Sequence, residues 1–415
     1  MKDKNKLDNS RDLQIWIWSN KPAIKESCDF IFGKMKRAEL TLDFKANRLK
    51  NHLKVILTDL FVAHRHDNTL YITISRNKND YWSHEYFSKI FLNYRYLIFV
   101  IDYLKDNGYI EYHHGIYTQH FQRKARIRAT KKLHRLFKKY DKPGGVIIYR
   151  RPPVILKDEE KREIDYDYDT IETRTLIRNV NRINKYLSEH KVEHFNFFED
   201  IVTEEMYKNS SKYYRVFNNS SFKNGGRFYG HWSQQIESDQ RRLIFIDDKQ
   251  TVELDYSCLH ISMLYGLEGL TPPEGDLYEL DNIPSNYRKV IKKAVNIAIN
   301  ANSVRSAMSA IREEIIEFCN ETDLPLIRPK ILLQSIANKH MPIQKYFFTG
   351  FGLHLQFLDS QIAEKIMLTL GEEGICCLCI HDSFIVPFEY ADRLRNLMTQ
   401  YFFDMFNFYP RITMK

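Results

Sequence analysis

Two aspartates stand in settings that suit metal-assisted phosphoryl transfer. Asp255 closes a β-branched apolar run in TVELDYSCLHISMLY, where a strand can bury its flanks and present a carboxylate at its end. Asp382 lies between two apolar half-strands in GICCLCIHDSFIVPF, the place of a residue at the tip of a hairpin. Such transfer needs carboxylates from separate strands, clamping two metal ions about 4 Å apart on the attacking and leaving oxygens. Singly, each aspartate reads more readily as a turn or cap residue than as a ligand; together they point to chemistry. Between them, YRKVIKKAVNIAINANS places Arg288, Lys292, Asn296 and Asn300 four residues apart, on one helical face. An arginine fork and a lysine point charge one turn apart match the non-bridging oxygens of a triphosphate. An ordinary basic amphipathic helix has the same spacing.

These residues need a scaffold. The alternation in LIFIDDKQTVELDY predicts a strand pair leading into Asp255, with SSFKNGGRFYGHWSQQI before it read as a loop. TIETRTLIRNVNRINKYLSEHKVE predicts a helix at the start of a second domain near Asp165, after the Pro- and Gly-rich KPGGV and RRPPVILKDEEKREIDYDYD. Upstream, TLDFKANRLKNHLKVILTDLFVA has helical spacing, and SKIFLNYRYLIFVIDYLKDNG predicts an amphipathic helix stopping at Asn107-Gly108. Strand-like segments around His113-His114-Gly115 follow; helix, glycine stop and hairpin together suggest a winged helix. Segment 121–140, with nine Lys or Arg and no acid, includes Arg126, Arg128, Lys131 and Lys132 as DNA-contact candidates. A solvated helix face gives the same pattern.

The totals agree with a globular, multidomain chain. Its 415 residues are 43% hydrophobic and 28% charged, and 62 Lys and Arg against 53 Asp and Glu leave a net charge of +9, which favours an anionic partner. Six cysteines without framework spacing and no N-terminal apolar signal segment suggest a reducing, cytoplasmic setting. No apolar run reaches the roughly 20 residues of a membrane helix. Cys376-x-x-Cys379 beside His381 lacks the second ligand pair that zinc requires and reads as buried apolar sequence.

The succession strand-DYS, R-x3-K on a helix and strand-HDS resembles the A-family DNA polymerases and single-subunit RNA polymerases, over roughly residues 215 to 400. Gly226-Arg227 and Gln234-Gln235-Ile236 are similar to the family's T-G-R and Q-N-I-P segment, and LHLQFLDSQIAEKIM to the helix before its last motif. The resemblance implies that Asp255, Asp382 and the main-chain carbonyl of Tyr256 hold two Mg2+ ions, with Asp255, Asp382 and Lys292 as the catalytic set. It places Arg288, Lys292, Asn296, Asn300 and His260 at the incoming nucleotide, and Lys292 as proton donor to pyrophosphate. Arg227, Gln235, Gln356 and His381 would contact primer and template.

Three departures bear on the product. His260 stands where DNA polymerases of this family carry a Glu that excludes the ribose 2′-hydroxyl; Asn296 and Asn300-Ala301 replace aromatic residues; Ser383 replaces a Glu. RNA synthesis, as by a primase or single-subunit RNA polymerase, therefore stays open, as does a DNA-binding initiator with a decayed core. The expected fold is α+β: a short thumb at 165–215, a palm at 216–269 and 346–415, and fingers at 270–345, behind a winged-helix-like domain at 1–150. The combination resembles the primase-polymerases of staphylococcal cassette chromosome elements. That likeness implies a DNA polymerase using template, primer and dNTPs in replication of a mobile genetic element, with a helicase and a small partner protein that enables priming. The first 165 residues show no acidic cluster of the exonuclease kind, so proofreading is not expected.

Overall fold

The computed structural model describes residues 7, 9–38, 43–78, 93–117, 122–145, 147–149, 151–195 and 211–415 of a mixed α+β chain. Two apolar cores organise it, one built from residues between Ile17 and Ile147 and one from residues between Val154 and Phe406.

The first core lies among β1 (Ser10–Asp12), β2 (Ile17–Ser19), α1 (Pro22–Arg37), α2 (Ala46–His66), β3 (Tyr71–Ile74), α3 (Tyr94–Asp106), β4 (Ile110–His113), β5 (Ile116–Tyr117), β6 (Gln122–Arg123), β7 (Ala125–Ala129), α4 (Lys131–Lys139) and β8 (Ile147–Tyr149). Asn93 caps α3 by accepting from the Arg95 N–H, and Gly108 takes the left-handed backbone after it at φ +68°. The start of that expected helix, 88–92, lies outside the described residues. The expected helix, glycine stop and antiparallel strands are present, in a four-stranded sheet of order β1-β3-β7-β4. The basic segment is not one helix. Its first part is strand β7, which buries Ala125 and Ile127 and turns Arg126 and Arg128 to the opposite face, and Thr130 then caps α4. Pairing of β2 with β8 ties residues 17–19 to 147–149.

The second core begins immediately after Pro152-Pro153. It comprises β9 (Val154–Lys157), β10 (Glu163–Ile164), α5 (Ile171–Ser188), β11 (Val192–His194), β12 (Tyr214–Asn218), β13 (Ser221–Tyr229), β14 (Ile244–Ile246), β15 (Lys249–Tyr256), α6 (Leu259–Leu267), α7 (Arg288–Asn300), α8 (Val304–Thr322), α9 (Pro329–Lys339), α10 (Gly352–Glu372), β16 (Leu378–Ile380), β17 (Ser383–Pro387), α11 (Ala391–Phe406) and β18 (Ile412–Met414). Residues 154–164, between the two expected domains, join this unit, because β9 pairs with β12. The stretch read as a loop from Ser220 is instead β13, antiparallel to β12; only its last part, Trp232–Gln235, is a 3-10 turn. Gly225 and Gly226, which suggested a loop, sit at register shifts with φ of +76° and +82°. A Cβ on Gly226 would stand 2.6 Å from the Phe217 ring, so the strand requires glycine there.

A six-stranded sheet carries β15 at its centre, in the order β11-β14-β15-β17-β16 with β18 also on β15. Helices α6 and α11 pack against each other beside it, while α7, α8 and α9 form a helical group in segment 270–345. Helix α10 crosses β13 and packs on α5, the helix of the expected thumb. Residues 196–210 of that expected thumb lie outside the described residues.

Candidate catalytic site

Strand β15 runs from exposed Lys249 into the core and delivers Asp255 at its inner end, one position before buried Tyr256. Its ladder with β17 sets Asp255 directly opposite Ser383. Because Ile380 faces Ser383 across the β16–β17 hairpin, His381 and Asp382 are its two turn residues. The turn is bonded to the neighbouring strand as well: the Tyr256 N–H donates to the Asp382 carbonyl at 3.4 Å. His381 holds φ at +60°, the left-handed region, at a cost of roughly 1–2 kcal/mol for a residue with a Cβ. Its Nδ1 is buried with no hydrogen-bond partner among the described residues. Burial first, then the charge of Arg227, lowers its pKa from the ordinary histidine value. A strained, unsatisfied side chain beside paired acids is the kind of feature that clusters at active sites.

The sheet thus brings Asp255 and Asp382 into each other's field. Burial raises the Asp255 pKa, and the charges of Asp382 and Glu253 add to it against the lowering effect of Lys415, whose Nζ lies 2.9 Å from Asp255 Oδ2. Glu253, two residues earlier on β15, is buried with full support. It accepts a fork from Arg241 at 2.7 and 2.9 Å and the Ser383 hydroxyl at 2.6 Å. These bonds outweigh burial and hold its carboxyl below the ordinary range. Among the described residues no group of three or more His, Cys, Asp and Glu side chains is gathered for a metal. The candidate ligand set is smaller: two carboxylates and the Tyr256 carbonyl.

Helix α7 presents Arg288, Lys292, Asn296 and Asn300 on its exposed side, as their spacing predicts. Arg288 pairs with Asp276, its Nη2 at 3.1 Å from Oδ1. The charges of Arg288 and Lys292 act on the Cys258 thiol, whose pKa burial raises; Cys258 lies three residues beyond Asp255 and caps α6. Asn300 donates to the Asn296 carbonyl at 2.8 Å. The Asn300 Oδ1 would stand 1.9 Å from a Cβ on Gly352, the first residue of α10. A side chain at position 352 would therefore collide with Asn300 unless one of them shifts.

The expected DNA-contact residues differ in how they are held. Arg227, on β13, donates to buried Asp359 through Nε at 2.9 Å and through Nη2, which also lies 3.1 Å from His260 Nε2. His260 stands 3.3 Å from the same carboxylate. Gln235 is exposed, and its neighbour Gln234 is used internally, bonded to Gly230, Phe228 and Cys379. Gln356 is half-buried on α10, one turn before Asp359. In the first unit, Arg126 donates to the carbonyls of Leu7 and Lys124, and Arg128 pairs with Glu111 at 2.6 Å and covers the Tyr71 ring. Lys132 reaches the Asn107 carbonyl at 2.7 Å, and Lys131 is exposed.

Sequence reading passed over Glu253, Asp359, Arg241 and Lys415. A weak signal existed for two of them: Glu253 shares a strand face with Asp255 by the period of two, and Asp359 lies on the Gln356 face of its helix by the i,i+3 rule.

No family model matches the chain, and a search of curated proteins finds no relative. Among solved structures, the POL domain of Pol1 from M. smegmatis in complex with DNA primer-template and dNTP is similar at TM-score 0.34 and 11% identity. The match takes in 62% of this chain and 56% of that one, little more than half its length.

Proposed function

We propose that the chain is a template-directed nucleotide polymerase of the A-family kind, adding deoxynucleotides to a primer 3′-hydroxyl on DNA. The observation that carries this reading is that the β15–β17 ladder and the β16–β17 turn bring Asp255 and Asp382, 127 residues apart in sequence, into each other's field. The donor set suits a hard divalent cation: carboxylate and carbonyl oxygens only, with repelling acids and an ammonium group already accommodated at Asp255.

Asp255, Asp382 and the Tyr256 carbonyl would hold two Mg2+ ions. When bound, the ions supply activation of the attacking hydroxyl and neutralisation of the leaving pyrophosphate. Arg288 exchanges Asp276 for the triphosphate, and Lys292, one turn on, holds a second oxygen and donates a proton to pyrophosphate. Glu253, by fixing Ser383, holds the turn that carries Asp382 in register with Asp255. Gln235, Gln356, Arg227 and His381 face the primer-template, and residues 122–139 engage duplex phosphates. A winged-helix role for the first unit, priming with a small partner protein, and action beside a helicase on a mobile element belong to the same proposal.

Ribonucleotide use is the second reading. His260, at the position of the excluding Glu, is engaged with Arg227 and Asp359, and Ser383 is engaged with Glu253. Extension of a labelled primer on a DNA template with Mg2+, using dNTPs and rNTPs separately beside Asp382→Asn, tests both. Extension with dNTPs that the variant lacks is expected; extension with rNTPs alone selects the second reading. Equal activity in the folded variant overturns the assignment.

A further inference from the structure

Strand β18 lies along the inner end of β15, with Met414 opposite Leu254, Thr413 opposite Asp255 and Ile412 opposite Tyr256. The pairing extends at both ends: the Ser257 N–H donates to the Arg411 carbonyl at 2.8 Å and the Lys415 N–H to the Glu253 carbonyl at 2.9 Å. Arg411 in turn donates to the carbonyls of Gly275 and Pro273, the loop whose Asp276 holds Arg288. The Lys415 side chain is therefore delivered by a bonded backbone. Its Nζ stands 2.9 Å from Asp255 Oδ2 and 3.4 Å from Glu253 Oε1.

Around this point the charges do not balance. Glu253 is matched by Arg241 and Asp359 by Arg227, while Asp255 has Lys415 and also stands in the field of Asp382. Two negative charges against one positive leave a deficit that a cation can fill, and an ammonium group in contact with a ligand oxygen opposes a divalent ion on that oxygen.

We propose that Lys415 is the resident counter-cation of the Asp255–Asp382 site. It holds the Asp255 carboxylate in place while no divalent ion is bound, and it must swing off Oδ2 when one binds. The stem is flexible and the side chain 40% exposed, so the ammonium has water to move into. The inference rests on the metal-binding reading of Asp255 and Asp382. Its consequence is a raised threshold for metal loading, set by a residue outside the ligand set.

The test is Mn2+ binding to the full chain without DNA or nucleotide, followed by the electron paramagnetic resonance of free Mn2+. The proteins compared are the parent, Lys415→Met, Lys415→Arg and Asp382→Asn. Methionine keeps the stem and leaves the backbone pairing of β18 intact. Lys415→Met is expected to bind about three- to tenfold more tightly than the parent, Lys415→Arg like the parent, and Asp382→Asn far more weakly. If the parent binds no better than Asp382→Asn, the metal reading falls and the inference with it. If those two differ but Lys415→Met binds equally or more weakly than the parent, the counter-cation role alone is overturned.

Discussion

Asp359 and Asp255 are both acids withdrawn from water, and the fold treats them in opposite ways. Asp359 is buried at 4% exposure and receives two bonds from the Arg227 guanidinium with His260 alongside. Asp255 receives one lysine among the described residues and faces the charge of Asp382. The first arrangement ties α10 to β13 and has its charge matched. The second leaves negative charge in excess at a sheet end. A buried acid that is fully paired supports architecture, whereas one left in deficit is a candidate for binding a cation.

The largest effect that would sharpen this contrast is on turnover. Asp382→Asn should lower nucleotide incorporation about a thousandfold, since several kcal/mol of charge stabilisation is lost, while its thermal midpoint stays near that of the parent. Primer extension and a melting curve on one preparation check both halves.

Next comes stability. Asp359→Ala should cost about 3–5 kcal/mol, because Arg227 loses its buried carboxylate partner. Asp255→Asn should cost nothing or stabilise the metal-free chain. Urea unfolding in a chelator measures both, and similar losses in the two variants would break the comparison.

The pH dependence is smaller and has a definite sign. Burial, with Asp382, holds the Asp255 carboxyl above its ordinary value of 3.8, so the folded chain takes up that proton more readily than the unfolded chain. The contribution is full below that value and is lost as pH rises through the folded pKa. Glu253, whose hydrogen bonds outweigh its burial, is held below its ordinary 4.5; its contribution is present above that value and lost as pH falls through the folded pKa. The stability advantage of metal-free Asp255→Asn over the parent should therefore grow from pH 4 upward. Glu253→Gln should show its deficit mainly at the upper end of the same series.

The smallest effect falls in the first unit, where cations take the place of the acids. Arg128 is matched by Glu111, whereas Lys131 is exposed. Lys131→Ala should reduce the slope of log affinity for duplex DNA against log salt by about 1, and Arg128→Ala should chiefly lower stability. Fluorescence anisotropy across a salt series separates them.

What could be read from sequence was local. The strand before Asp255, the hairpin tip at Asp382, the α7 face and the Gly108 stop each depend on residues within a few positions, and periodicity exposes them. Strand β13 was missed because its glycines serve a register shift against β12, and a bulge has the composition of a loop. The partners of the acids were missed for a different reason. Asp359 lies 132 residues from Arg227, and Ser383 lies 130 from Glu253; no local pattern encodes contacts at that range.

That range also sets an order of assembly. The first unit closes when β8 meets β2, well before most of the second has been made. Strand β15 must wait for β17, and the Lys415 side chain meets Glu253 across 162 residues. During synthesis the chain therefore carries Asp255 for many seconds before its sheet can form, at roughly 5–20 residues per second. An open β-edge is on view in that interval, and Asp255 waits in the nascent chain without Asp382 or Lys415 beside it.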